Sequence, residues 1–185
     1  MGIPEELLLL HRYRQRRNGG IYLAYGLAGA VLADLLLRNR IVVRGETLSV
    51  FDARTTGDAV LDEALAAIGR SERQRNAKWW ITSLHKNLRQ LEERYSERLP
   101  ASGEAIAEDL RIRLRNALLL PDRIEPHPAA LIGLCEASRI QFLTREEARQ
   151  VQQRLRDAVR TNAIAAAVAK AVADTEAAVL LAVTG

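Results

Sequence analysis

"IYLAYGLAGAVLADLLL", Ile21 to Leu37, is apolar at almost every position, interrupted once by Asp34 and closed by Arg38, Asn39 and Arg40. A membrane-spanning helix needs about 20 mostly apolar residues, so the run stands at the lower edge of that range. A carboxylate inside a span costs about 2.5 to 3.5 kcal/mol on insertion scales, and Gly26 and Gly29 each weaken a helix by up to about 1 kcal/mol. Leu27, Val31 and Leu35, with the smaller Ala24 and Ala28 among them, fit a core helix packed closely by neighbours. The run therefore predicts a central buried helix around which the rest of the chain folds.

The surrounding sequence has the means to cover such a helix. Of 185 residues, 48% are hydrophobic and only 4% aromatic, and the abundance of Ala, Leu, Arg and Glu favours helices. Disorder is excluded by that apolar content, and the length suits one domain over residues 1–185. The formal charge is +4 and the pI about 9.6, a surface modestly attractive to anionic membranes or nucleic acid. A single cysteine, Cys135 in "ALIGLCEAS", allows no intramolecular disulfide and reads as a buried thiol in a reducing, cytoplasmic setting. "MGIPEELLLLHRYRQRR" lacks the order of a signal peptide, and Glu6 stands where a myristoylation motif has Ser or Thr.

On either side of the central run the pattern is mostly helical. "EELLLL" after Pro4 is a strand or a first helical turn, leading into the basic "HRYRQRRNGG" and its Gly-Gly loop. "IVV", "RGE" and "TLSVF" alternate β-branched residues about a Gly-containing turn, a small β-hairpin. Thr55 and Asp58 resemble a capping box before Val60, Leu61, Leu65 and Ile68, with Gly69 as the stop. Within "SERQRNAKWWITSLHKNLRQLEERYSERL", Leu84, Leu88, Leu91, Tyr95 and Leu99 fall on one helical stripe. Beyond the break "LPASGEA", Ile106, Leu110, Leu114 and Leu118 recur at helical spacing, and Pro121, Pro126 and Pro128 bound a loop before the short buried helix "AALIGLCEA". Thr144 and Glu147 form a second capping box ahead of Val151, Leu155 and Val159. The last, Ala-rich segment carries Lys170, Asp174 and Glu176, which argue against a span. The expectation is a mostly α, compact single-domain bundle of about seven or eight helices with one small hairpin.

The order of these segments, "PEELLLL", "GLAGAVLADLLLRNRI", "TGDAVLDEAL" and Trp80-Ile81, resembles the Golgi phosphoprotein 3 family, including its bacterial members. "PHPAALIGLCEAS" and "NAIAAAVAKAVADTEAAVLLAV" look like later parts of the same family. The resemblance implies a peripheral membrane module binding phosphatidylinositol 4-phosphate or a similar anionic phosphoinositide; no constellation of residues supports catalysis, so no enzymatic activity is expected. In eukaryotic members an arginine of the first helix contacts the lipid phosphate and a tryptophan precedes it; Ala28 and Gly19 stand at those places here. The stretch from Leu99 to Asp109 is shorter than the family's usual connection. "HRYRQRRNGG" is also more basic than the acidic turn of bacterial members. The alternative expectation is a soluble protein-interaction adaptor that has lost specific lipid recognition.

Several residues are candidates for contact with an anionic lipid. Arg12, Arg14, Arg16 and Arg17, with Tyr13 among them, are the densest cationic cluster and have no carboxylate nearby in sequence. Arg111 and Arg115 share a helix face that Arg113 does not, and a guanidinium fork suits a phosphate. Trp79 and Trp80 point about 100° apart on a helix, so one packs in the core while the other, expected to be Trp79, reaches a membrane interface. Asp58, Asp62 and Glu63 resemble an acid/base group, but first-turn carboxylates are explained by capping and the helix dipole. His11, His85 and His127 lack ligand spacing, so no metal and no cofactor are expected. No nucleic-acid motif accompanies the arginines, so the expected partners are an anionic membrane lipid and a protein.

Overall fold

The leucines of "EELLLL" and the basic residues after them form one helix, α1 (Ile3–Arg14), with Glu5 and Glu6 in its first turn, where carboxylates favour the positive end of the helix dipole. The computed structural model describes the whole chain except residues 15–19, 88–89, 121–122 and 185. Next come α2 (Gly20–Leu37), β1 (Ile41–Arg44), β2 (Thr47–Val50), α3 (Ala59–Gly69), β3 (Arg75–Asn76), α4 (Ala77–Asn87) and α5 (Leu91–Ser96). They are followed by α6 (Gly103–Leu119), α7 (Pro126–Ala137), α8 (Arg145–Gln150), α9 (Gln152–Thr161) and α10 (Ala163–Thr184).

Helix α2 is long and apolar enough to cross a membrane, yet 61% of it is buried within the fold. α1, α3, α4, α5, α7 and α10 all pack against it. Its two interior glycines have a packing cause: a Cβ at Gly26 would lie 2.4 Å from Ser138 Oγ, and one at Gly29 would lie 2.4 Å from Val168 Cγ2. The helix propensity lost at these positions is exchanged for close approach of α7 and α10. The lone carboxylate is equally placed. Asp34 is buried, accepts a hydrogen bond from the Ile3 amide at 3.1 Å and pairs with Arg38 one turn later. It thus satisfies an amide at the start of α1 that has no partner within that helix.

β1 and β2 pair antiparallel with Ile41 opposite Val50 and Arg44 opposite Thr47, across a turn in which Gly45 has φ 59°. This is the expected hairpin. It gains a third strand, because Leu48 pairs with Arg75 and Thr47 with Asn76, residues whose sequence reads as the start of a long helix. That helix is broken again further on: α4 and α5 are separate, and Gln90 takes a left-handed φ of 62° before α5. The stripe survives the break, with Leu84, Leu91 and Tyr95 all buried, while Leu88 lies outside the described residues.

Among the described residues there are ten helices, more than expected because this segment and the one after Thr144 each divide in two. The Thr144/Glu147 capping box is present at α8, but Val151, at φ −106°, separates α8 from α9. Near α3 the cap is shifted: Asp58 itself accepts from the Val60 and Leu61 amides, and Asp62 is bonded by Thr56 rather than capped through Thr55. Cys135 and Trp80 are buried as expected, at 0% and 4% exposure.

Candidate functional site

The basic cluster begins on the last turn of α1. Arg12 is exposed and, among the described residues, has no hydrogen-bond or ion-pair partner. Arg14 ends the helix, whereas Arg16, Arg17 and Gly19 lie outside the described residues. Beside this end, Gly103 at the start of α6 packs so closely on α1 that a Cβ there would lie 3.0 Å from both Leu9 Cδ2 and Tyr13 Oη.

α2 starts from the same place, and α10 runs antiparallel to it. Gly29 faces Val168, Tyr25 Oη meets Thr175 Oγ1 at 3.4 Å, and the Tyr22 hydroxyl lies near the Glu176 carboxylate. That carboxylate holds the Tyr22 pKa above its ordinary value. Glu176 also accepts from Arg139 at 3.2 Å. α4 lies alongside: Lys78 pairs with Asp174, and the His85 ring meets Tyr25 edge-on at 5.2 Å between centroids. Burial, with Lys86 as a lesser cause, lowers the His85 pKa and favours its neutral form.

The α6 arginines belong to a different environment. Arg111 is bonded through Nε and Nη2 to Glu108, the nearer Nε contact being 3.0 Å. Arg113, on the other face, pairs with Asp109 at 3.0 Å. Arg115 reaches across to Glu147 on α8, and this contact, with the Thr144 amide, holds the Glu147 carboxyl down at about 2. Arg111 is eight residues beyond Gly103, about 12 Å along the helix, so the α1 and α6 groups do not form one cluster. A phosphate at Arg111 or Arg115 has to compete with a carboxylate already in place.

Trp79 is 41% exposed, edge-on to Trp80, with the Arg75 guanidinium 4.7 Å above its ring. It sits in the first turn of α4, about 10 Å along that helix from Lys86. The carboxylates that resemble an acid/base group are engaged structurally. Asp58 caps α3 and pairs with Arg98 at 2.7 Å, Asp62 accepts from the Thr56 amide and hydroxyl, and Glu63 takes both Nη atoms of Arg94. Among the described residues, no group of three His, Cys, Asp or Glu side chains is placed to hold a metal ion. A cleft of about 970 Å³ opens beside Leu36, Val43, Ile124 and Ala129; of its four charged lining residues, Arg154 is bonded to backbone carbonyls and Asp157 to Arg160, with Arg123 and Glu125 the other two.

The sequence reading did not single out Lys86 or the last turns of α10 as part of the basic end. The signal for the latter was visible as "AAVLLAV", which carries no polar residue on any helix face. The described residues form a helical domain wound around one apolar helix, with an exposed cationic residue, Arg12, at one end. Residues 3–175 match the Golgi phosphoprotein 3 (GPP34) family, and the chain belongs to that family. No curated protein matches it.

Proposed function

We propose that the protein is a cytoplasmic, peripheral membrane module that takes an anionic phosphoinositide headgroup, phosphatidylinositol 4-phosphate or a close relative. The observation that carries this reading is the family match over residues 3–175, since lipid binding is what that family implies. Arg12, exposed and without a partner among the described residues, supports a contact through the α1 end, together with Arg14, Arg16 and Arg17. Arg111 and Arg115 are weaker candidates because Glu108 and Glu147 already neutralise them. Trp79 remains a candidate interfacial anchor on a separate part of the surface.

A second reading, a protein-interaction adaptor without specific lipid recognition, is favoured by one observation. Ala28, at the place of the family's lipid-contacting arginine, is fully buried. No side chain there reaches a headgroup, so recognition has to come from other residues.

Co-sedimentation with neutral, phosphatidylserine, phosphatidylinositol and phosphatidylinositol 4-phosphate vesicles at low and moderate salt separates the readings. Preferential binding to the last, weakened by Arg12→Glu, is expected; each arginine near an anionic surface contributes about 1 kcal/mol, or roughly fivefold. Binding that follows charge alone and disappears with salt would overturn phosphoinositide recognition. Absence of binding to any vesicle would favour the adaptor.

A further inference from the structure

The family match ends at residue 175, but α10 continues to Thr184. Glu176 is level with Tyr22, only two residues from the start of α2, and Ala177–Thr184 adds about 12 Å of helix beyond that level. α10 therefore projects past the first turn of α2. Ala177, Ala178, Leu180 and Leu181 are all exposed there, the two leucines at 65% and 73%. Consecutive leucines point about 100° apart, so the apolar surface wraps around the helix and does not form a single stripe.

We propose that these last turns of α10 insert into the outer part of a lipid bilayer and act as the apolar anchor beside the cationic α1 end. The inference rests on the membrane reading above and adds to it the part of the chain that enters the lipid. Two observations favour lipid over a second copy of the chain as the occupant. A helix packed on a partner buries one face and keeps a polar face toward water, whereas "AAVLLAV" offers no polar face. The charges at this end also suit an anionic surface. α1 ends here with Arg12 exposed and without a partner among the described residues, and Arg14, Arg16 and Arg17 follow in sequence. Lys86 is exposed at the end of α4, which runs beside α10, with Lys78 against Asp174 and with Thr82 and Ala178 lining one groove. Of the carboxylates at this end, Asp174 is matched by Lys78, Glu176 by Arg139 and Glu108 by Arg111, while Glu104 shares a groove with Tyr13 at the end of α1. Seven apolar residues extend about 10 Å along the helix, less than one leaflet of a hydrocarbon core about 30 Å thick and far short of a span.

The buried Cys135 makes a labelling test clean. Leu181→Cys, carrying an environment-sensitive fluorophore, is mixed with phosphatidylcholine vesicles containing phosphatidylinositol 4-phosphate, and Ala53→Cys, exposed in the loop after β2 near the C-terminal end of α2, serves as the control. A blue-shifted, brighter signal is expected for the first label only. The unlabelled double variant Leu180→Glu/Leu181→Glu is expected to partition at least about tenfold more weakly while unfolding at the wild-type denaturant midpoint. If the wild type pellets with these vesicles but the Leu181 label stays silent and the double variant pellets equally well, insertion fails and the membrane reading stands. If the wild type pellets with no vesicle, both fail. If light scattering shows a dimer that the double variant converts to a monomer, with vesicle binding unchanged, the last turns of α10 belong to a second copy and insertion is overturned.

Discussion

α2 and the last turns of α10 have similar compositions and opposite surroundings. Both are helical and rich in Leu, Ala and Val, and the stretch that contains a carboxylate is the buried one. The difference is that Asp34 is buried with the Ile3 amide and Arg38 as partners, whereas the side chains of Leu180 and Leu181 are largely exposed. Apolarity alone does not say where a helix lies; its neighbours do.

Leucine truncation gives the sharpest contrast. Leu32→Ala, at a fully buried site in α2, is expected to cost about 2–5 kcal/mol in urea unfolding. Leu181→Ala is expected to stay within about 0.5 kcal/mol. Equal costs would break the comparison, because they would place Leu181 in a core. A smaller effect comes from overpacking: Gly29→Val should lower stability by about 1–3 kcal/mol, since its Cβ meets Val168. The carboxylate follows. Asp34→Ala leaves a buried amide and Arg38 without their acceptor and should cost about 1–3 kcal/mol, with no gain in vesicle binding. If this variant proved more stable, Asp34 would be a liability of the core and not one of its ties.

The smallest effect tests a contact between two elements that wrap α2. His127 on α7 bonds Glu6 on α1 at 2.6 Å, and that bond raises the His127 pKa. A group whose pKa is raised on folding contributes its stability fully below the unfolded value of about 6.5 and loses it as pH rises through the folded value. Unfolding midpoints should therefore fall slightly from about pH 6.5 upward. His127→Gln should remove that slope, and solvent exposure of the imidazole keeps the effect small.

What the sequence made legible was local. The burial of α2, the hairpin turn at Gly45, the Thr144 cap and the inward Trp80 each follow from spacing or turn chemistry within a few residues. The breaks at Gln90 and Val151 do not, because in both places the apolar pattern continues across them while the backbone turns to meet tertiary neighbours. The same limit applied to the candidate site. Arg111 with Glu108 is a pairing that helix spacing anticipates, whereas Arg115 with Glu147 joins residues 32 apart and depends on how α8 docks. Arg12 was legible as one of a cluster of cations with no carboxylate nearby in sequence. That α10 finishes toward the same end of α2 as α1 emerged only from the antiparallel packing of α10 on α2.

The two tryptophans stand side by side at the start of α4, one exposed and one buried. Almost all of the protein's intrinsic ultraviolet emission therefore originates at a single spot beside the three-stranded sheet, away from the cationic end. A vesicle titration followed by that emission reports on the Trp79 surface alone. A shift on adding vesicles would locate contact there, and a flat trace alongside clear sedimentation would direct attention to the opposite end of α4.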